Sequence, residues 1–363
     1  MKIYLDNTIF SLQRAGGISV YWFEIIRRLL RDNWDVNYFE QHGLGLDCPN
    51  IFRKNLMIPG DKIIHDVYLP NRLLGYLPCL HIMSKGSVYH GSYYRPSLQR
   101  DIHQIVTVFD FMYERYRKGL KLAIHHWQKE RAISSSSVII CISNNTKKDL
   151  CAYFPWLDES RIRVIHLAAN DQFKPLSKGE LDLDFISPNL TESRFILYVG
   201  DRRFYKNFNL AVKTVAEFPE LGLVAVGGGE LSMEEKKLVE QLLPRRFTHL
   251  KGLNIDALNR LYNAAHALLY PSVYEGFGIP IVEAMQAGCP VISVMSSSIP
   301  EIANDACFLA PLEGQQPSLT FFKGSVQALF IPHIREEMIR KGLQRAQLFS
   351  WEKCYQETIK LYK

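Results

Sequence analysis

The chain has 363 residues, 47% of them hydrophobic and 22% charged, with a formal net charge of +6. That composition excludes a disordered chain, the length favours two domains over one core, and no apolar run reaches the roughly 18–20 residues of a membrane-spanning helix. The seven cysteines are odd in number, irregularly spaced and without a C-x-x-C pair, which argues against a disulfide framework or a zinc site and reads as buried thiols.

The predicted elements alternate strand and helix. Lys2 to Leu5 reads as a strand at the very start, where a signal peptide would need a longer apolar stretch and a cleavage site, so a cytoplasmic location is expected. Gly16-Gly17-Ile18-Ser19 follows as a turn before a helix from Val20 to Arg31. Val88 to His90, Ile105 to Phe109 and Val138 to Ile142 are further strands; Ser143 is the N-cap of a helix reaching Tyr153, and Arg163 to His166 closes this half. Residues 169–193, with Pro175, Pro188 and little periodicity, read as a linker. Beyond it come strands at Phe195 to Val199, Gly222 to Val226, Ala267 to Tyr270 and Pro290 to Val294, with helices at Phe208 to Glu217, Asp256 to Ala264 and Pro280 to Ala287.

Strands that are apolar on both faces and alternate with helices imply parallel, doubly wound sheets. The expected architecture is α/β with two Rossmann-like domains facing a central cleft: residues 1–168, joined by a C-terminal helix within 346–363, and residues 194–345. Ligands of such sheets sit beyond the carboxyl ends of the strands, which places the expected site in that cleft.

Between Met112 and Ile133, Arg115, Arg117, Lys118, Lys121, Lys129 and Arg131 stand against Glu114 and Glu130, with Tyr113, Tyr116 and Trp127 interleaved. Such a segment fits peripheral contact with an anionic membrane surface, and it equally fits a solvated helix face. No nucleic-acid recognition motif accompanies it.

The chemistry is concentrated in Tyr270-Pro-Ser-Val-Tyr-Glu275-Gly-Phe-Gly-Ile-Pro280-Ile-Val-Glu283. Pro280 fits a first helical position, so Glu275 belongs to the loop after a strand and Glu283 to the first turn of the next helix. Gly276 and Gly278 let backbone approach a ligand, and the helix start offers unpaired N–H groups and a positive dipole end to an anion. The pattern suits a pyrophosphate at the helix start, with carboxylates accepting from hydroxyls on either side.

This string resembles the E-x7-E signature of family 4 retaining glycosyltransferases of the GT-B fold. Similar stretches are Leu261-Tyr262-Asn263-Ala264-Ala265-His266-Ala267, Ser298-Ile299-Pro300-Glu301-Ile302-Ala303, Gly16-Gly17-Ile18-Ser19, Ile142-Ser143, Gly200 through Lys206-Asn207, and Phe349-Ser350-Trp351. The resemblance implies transfer of a hexose, mannose-type favoured, from a GDP- or UDP-sugar to a saccharide or lipid-linked saccharide acceptor in bacterial O-antigen or other surface-polysaccharide assembly. It implies that Glu283 binds the ribose, that Glu275 holds the donor sugar, and that the N–H groups of Phe277, Gly278 and Ile279 meet sugar or phosphate. Lys206 would neutralise the diphosphate with Arg202 or Arg203, Gly228 would line the nucleotide, and Gly17 would admit phosphate and acceptor. It further implies front-face retention with no metal or other cofactor. It makes residues 1–168 the acceptor-binding domain and residues 194–345 the nucleotide-sugar donor-binding domain, with the final helix of 346–363, near Trp351 to Tyr362, packed back on the first.

The chain departs from the family where many members carry a histidine directly before an aspartate at the end of a mid-domain strand. Here Phe109 precedes Asp110, and Asp110 and His90 are the candidates for contact with the reacting sugars. Asp182-Leu183-Asp184 spells the D-x-D metal motif of a different glycosyltransferase fold, but in the linker. No G-x-G-x-x-G follows a strand, which argues against a nicotinamide dehydrogenase. A nucleotide-sugar epimerase of the same fold and an inactive sugar-nucleotide-binding protein are the alternatives.

Overall fold

The computed structural model describes residues 2–41, 48–66, 75–183 and 194–363. The chain divides into two α/β units, Met1–Leu167 with Trp351–Lys363, and Ala168–Ser350.

The first unit is built on seven parallel strands: β1 Ile3–Asp6, β2 Val36–Gln41, β3 Ile63–Asp66, β4 Val88–Gly91, β5 His103–Val108, β6 Val138–Cys141 and β7 Ile162–Val164, in the order β3-β2-β1-β4-β5-β6-β7. The order reverses direction between β1 and β4, which opens a crevice at their carboxyl ends. Helix Gly17–Arg31 starts three residues before the expected Val20, because the Ser19 hydroxyl donates to the Gly16 carbonyl at 2.9 Å and the glycine turn runs straight into the first helical turn. It buries Tyr21, Trp22, Ile25, Ile26 and Leu29, the apolar face of a 3.6-residue period. Helix Asn144–Tyr153 starts where Ser143 accepts from the Thr146 N–H at 3.0 Å.

Strand β2 escapes the sequence pattern because it is wholly buried yet reads Val-Asn-Tyr-Phe-Glu-Gln. Its Glu40 is neutralised internally: Arg53 donates to both carboxylate oxygens at 2.7 and 3.0 Å, and the Asn7 amide adds a third bond at 2.6 Å. A buried carboxylate paired in this way fits a central strand.

Helix Trp351–Lys360 belongs to this unit and lies along Gly17–Arg31. Glu352 pairs with Arg28 and Arg31 at 3.2 and 2.9 Å, and the Tyr355 hydroxyl donates to Asp32 at 2.8 Å. The preceding helix, Pro332–Ala346, stays in the second unit, so the return of the chain begins at Trp351 and not within the stretch around 346. Tyr362 closes the arrangement on His90, hydroxyl to Nδ1 at 2.6 Å, while Nε2 meets Thr107 Oγ1 at 2.9 Å. His90 is therefore not a catalytic group here. It has no solvent exposure, both ring nitrogens are engaged within the fold, and burial pushes its pKa down to about 3.

The second unit carries six parallel strands: β8 Arg194–Val199, β9 Leu221–Val226, β10 Phe247–Leu250, β11 Ala267–Leu269, β12 Val291–Val294 and β13 Phe308–Ala310, ordered β10-β9-β8-β11-β12-β13. A short hairpin, β14 Leu312–Glu313 and β15 Gln316–Pro317, follows. The four strands expected here lie within one residue of their predicted bounds, because each is a dense apolar run whose side chains fill one core between sheet and helices. β10 was not legible, since its Phe-Thr-His-Leu is only half-buried at the sheet edge. The described part of the expected linker is tied down in this unit. Asn259 and Asn263 accept from the Lys174 and Leu176 N–H groups at 3.1 and 2.7 Å, and Asp182 faces Arg260 at 3.6 Å. Asp184 and the rest of the expected linker to residue 193 lie outside the described residues.

A neutral, doubly bonded His90 makes the fold sensitive to acid. Its lowered native pKa means that the unfolded chain takes up the proton first, so its contribution is whole above about 6.5 and is lost as pH falls towards about 3. The urea midpoint of the native protein should exceed that of His90→Asn at pH 8, and the difference should shrink steadily below pH 6.5.

Candidate functional site

The order of the second sheet reverses between β8 and β11, and the loops after these two strands carry the functional side chains. After β8, Gly200 to Lys206 ends in a turn at Asn207, held left-handed at φ 49° with its amide donating to the Pro271 carbonyl at 2.9 Å. After β11, the Val273 N–H donates to the Tyr205 carbonyl at 2.9 Å, which joins the two loops. Lys206 Nζ thereby meets Glu275 Oε1 at 2.8 Å and the Tyr270 hydroxyl at 3.4 Å. Both charged side chains are mostly out of water. Burial works against the Lys206 ammonium, but the Glu275 carboxylate outweighs it and holds the lysine above its ordinary pKa.

The Glu275 loop is pinned from a third strand end. After β12, Ser296 donates to the Val273 carbonyl at 2.7 Å, Ser297 Oγ accepts from the Glu275 N–H at 2.9 Å, and Ser298 donates to the carbonyls of Glu275 and Phe277 at 2.9 and 3.1 Å. The sequence reading gave these serines no role. Ser298 opens one of the stretches that resemble the family, and the run of three hydroxyls between a strand and a helix is the further signal.

Gly278, at φ +100°, turns this loop into helix Ile279–Gln286, with Pro280 in the first turn; any other residue would be strained there. Gly278 offers no side chain to cap this helix, Pro280 has no N–H, and the Ile281 N–H donates to the Gly278 carbonyl at 3.0 Å, so the Ile279 N–H is the first donor at the helix start. The Phe277 ring packs edge-on against Phe349, centroids 5.7 Å apart. Glu283 lies on the first turns and accepts from the Tyr262 hydroxyl at 2.8 Å. Burial of its carboxyl, opposed only by that bond, raises its pKa to about 7.

The two arginines separate clearly. The Arg202 guanidinium is folded over the triple-glycine loop: it donates to the carbonyls of Gly227, Gly229 and Glu230 at 3.1, 2.5 and 3.0 Å, and to Glu235 at 3.2 Å. It is nearly buried, and a Cβ on Gly228 would stand 2.8 Å from its Nη1. Arg202 is a clamp on that loop. Arg203 is half-exposed and pairs with Asp201 at 3.0 Å.

In the first unit, Gly17 opens helix Gly17–Arg31 beside the β1/β4 reversal. Asp110 lies two residues beyond β5, partly exposed, accepting from the Met112 N–H at 3.0 Å. Phe109, where the family pattern has histidine, is buried edge-on against Tyr21 at 5.5 Å. The network beneath this crevice is structural: Arg95 bridges Asp6 at 3.0 Å and Asp66 at 2.7 Å, and all three are buried.

Two parallel-sheet units, the second with a paired lysine and glutamate at its crevice and an acid on the following helix, define a glycosyltransferase of the GT-B fold. The chain matches the family models for glycosyl transferases group 1, over residues 182–311, and Glycosyltransferase Family 4, over residues 15–173. It belongs to that family. It is 27% identical to O-antigen chain mannosyltransferase B of Escherichia coli over 77% of this chain and 74% of that protein. Sucrose-phosphate synthase from Thermosynechococcus elongatus shares the fold at TM-score 0.76 and 21% identity, covering 100% of this chain and 98% of that one. HepE of Anabaena, solved with UDP and glucose, does so at TM-score 0.72 and 13% identity over 99% and 98%.

Two stability measurements test these assignments. Arg202→Ala should cost about 2–3 kcal/mol in urea unfolding through its orphaned carbonyls, while Arg203→Ala should stay within about 0.5 kcal/mol. Glu283, raised in the fold above its ordinary 4.5, gives stability that is whole below that value and lost as pH rises through about 7. Glu283→Gln should therefore match the native protein at pH 5 and exceed it at pH 8, by up to about 3 kcal/mol.

Proposed function

We propose that this glycosyltransferase moves a hexose, mannose-type, from a GDP- or UDP-sugar to a saccharide or lipid-linked saccharide, with retention at the sugar carbon and without a metal. The observation that carries this reading is the Lys206–Glu275 pair beside the uncapped helix start at Ile279. Such a pair offers a cation to a diphosphate and a carboxylate to sugar hydroxyls at adjoining points. Glu283, on the same helix, binds the ribose hydroxyls, and the N–H groups of Phe277, Gly278 and Ile279 meet phosphate or sugar. Arg203 is the arginine whose side chain is accessible to assist Lys206. Gly228 lines the nucleotide side, and Gly17 leaves room for phosphate and acceptor. The likeness to the E. coli mannosyltransferase supports the mannose-type donor.

In the proposed reaction the bond from the sugar carbon to the diphosphate oxygen breaks as the acceptor hydroxyl adds on the same face. The hydroxyl proton passes to the departing phosphate oxygen, and Lys206 stabilises the charge that develops there. Asp110 holds a sugar hydroxyl from the first unit. The protein acts in the cytoplasm, in peripheral contact with a membrane through residues 112–133. Among the described residues no helix is long and apolar enough to cross a membrane. Phe109 in place of the family histidine favours one second reading, binding of a sugar nucleotide without turnover.

A screen of UDP-, GDP- and dTDP-sugars by thermal shift, with and without EDTA, tests the donor half. One donor should raise Tm, unaffected by EDTA, and Glu283→Ala should abolish the rise. A shift that requires metal would overturn the metal-free mechanism. With that donor and an acceptor, Lys206→Ala should lower kcat by about 100- to 1000-fold. Asp110→Ala should also lose activity with folding intact. A donor consumed without acceptor would point to the epimerase, and a bound but unconsumed donor to the inactive reading.

A further inference from the structure

The stretch from Leu261 to Ala267 resembles the family, yet the chemistry proposed above gives it no part. It contains Tyr262, on helix Ile255–Ala264, which starts where Asn254 accepts from the Ala257 N–H at 2.8 Å. Tyr262 has no solvent exposure, and its hydroxyl donates to Glu283 Oε2 at 2.8 Å. Burial and the neighbouring carboxylate push the phenol's pKa well above its ordinary value, so Tyr262 stays a donor throughout the neutral range. The other oxygen of Glu283, Oε1, takes no bond from any described residue, and Glu283 keeps partial exposure.

The segment at the start of this unit holds Tyr262 in place. Asn170 opens a turn: its side chain accepts from the Gln172 N–H at 2.9 Å and its carbonyl from the Phe173 N–H at 3.1 Å. The turn lays the Phe173 ring edge-on against Tyr262, centroids 5.7 Å apart. The next residues are bonded along the same helix. Asn259 accepts from the Lys174 N–H, and Asn263 accepts from the Leu176 N–H and donates to the Lys174 carbonyl at 2.9 Å. Positions 259, 262 and 263 share one helical face, so a single extended strap reaches both asparagines and the tyrosine ring. Pro175 of this strap also lies beside Gly288, just after the helix that carries Glu283, where an added Cβ would stand 3.9 Å from the proline ring. The strap therefore braces the donor and the acceptor of the Tyr262–Glu283 bond alike.

We propose that Tyr262, braced by Phe173, is a positioning residue of the donor site: it holds one oxygen of Glu283 and turns the other to the ribose hydroxyls. This inference rests on the ribose role proposed above for Glu283. A carboxylate with both oxygens unheld rotates about its last bond, and fixing one oxygen removes that freedom before the ligand arrives. The bond also favours the ionised carboxyl, whose oxygens only accept, over the protonated form, which carries a proton on one of them. Burial opposes ionisation of Glu283, and no cation offsets it. The charges on the helix packed against Ile279–Gln286 are turned elsewhere: Arg335 donates to the Ala265 and His266 carbonyls, Arg345 to those of Glu301 and Ile302, and Lys341 pairs with Asp305 at 3.1 Å. Cys289 and Tyr270 bear on Tyr262 instead. Among the described residues Tyr262 is thus the group that favours the charged form of Glu283.

The test titrates the full chain with UDP and GDP and with their 2′,3′-dideoxy forms, in calorimetry over a range of pH. The two probes of a pair carry the same diphosphate, so its own titration cancels in the ratio of affinities, and the ratio reads the ribose hydroxyls. In native protein one nucleotide should bind better than its dideoxy form, by a preference that grows as pH rises through about 7. Tyr262→Phe removes only the hydroxyl. It should cut that preference by at least about fivefold near neutral pH, move its rise to higher pH, and leave the dideoxy affinity unchanged. Phe173→Leu keeps the hydroxyl but loosens the ring, and should cut the preference by about twofold. A preference that either variant keeps in full, a rise that Tyr262→Phe leaves at the native pH, or a Tyr262→Phe protein that binds both probes more weakly to the same degree would overturn the proposal. Nucleotide binding with an unchanged preference in the variants sinks this inference alone. Native protein that binds both members of a pair equally sinks the ribose role of Glu283 with it, and native protein that binds neither nucleotide sinks the proposed function as well.

Discussion

The site in the second unit depends on one contact, the 2.8 Å pair between Lys206 and Glu275. Two charges largely removed from water are stable only while each has the other, and removing one partner leaves the other uncompensated. The surrounding structure keeps them together. Asn207 and Val273 join their loops, three serines hold the Glu275 backbone from β12, and Gly278 turns the chain at once into the next helix. A diphosphate arriving at Lys206 and hydroxyls arriving at Glu275 would replace the pair by new partners for both members. Binding would then exchange one set of charge-assisted bonds for another without exposing either charge.

The legibility of the sequence follows from what each residue touches. Strands β8, β9, β11 and β12 were readable because their side chains are uniformly apolar, and Glu275, Gly278, Pro280 and Glu283 because glycine, proline and carboxylate at that spacing admit few backbone paths. Residues whose partners are distant in sequence were not. His90 looked like a strand-end base, but its partners are Thr107 and Tyr362, the latter 272 positions away. Arg202 and Arg203 are neighbours of identical chemistry, and only the position of the glycine loop shows that one is a clamp and the other half-exposed. The strand β2 was hidden by Glu40, whose charge is cancelled by Arg53 thirteen residues later.

The same blindness affects the count of charges. The segment from Met112 to Ile133 carries a surplus of cations in sequence, but Lys129 and Glu114 neutralise each other inside the fold. What remains at the surface is Arg115, Arg117, Lys118 and Lys121, with Arg131 partly covered. The first unit uses its buried charges as struts, Asp6–Arg95–Asp66, Glu40–Arg53 and Glu114–Lys129, and each ties together segments that meet at the carboxyl ends of its strands. In the second unit the comparable pair stands at the strand ends themselves.

That division bears on where a proton could go during transfer. Of the first-unit positions singled out from the sequence, His90 is sealed and held neutral, and Phe109 has no group to exchange a proton and is packed on Tyr21. Asp110 alone keeps solvent contact, and one of its oxygens already holds the Met112 N–H. In the proposed reaction, then, the departing diphosphate is the better-placed base: its charge rises as the sugar–oxygen bond lengthens, when the acceptor hydroxyl becomes acidic. Lys206 would stabilise that charge; in the structure Glu275 holds the lysine above its ordinary pKa, so it meets an arriving diphosphate as a cation. In the proposed reaction Glu275 would therefore bear on the leaving group through Lys206 before the donor arrives and on the sugar hydroxyls once it has.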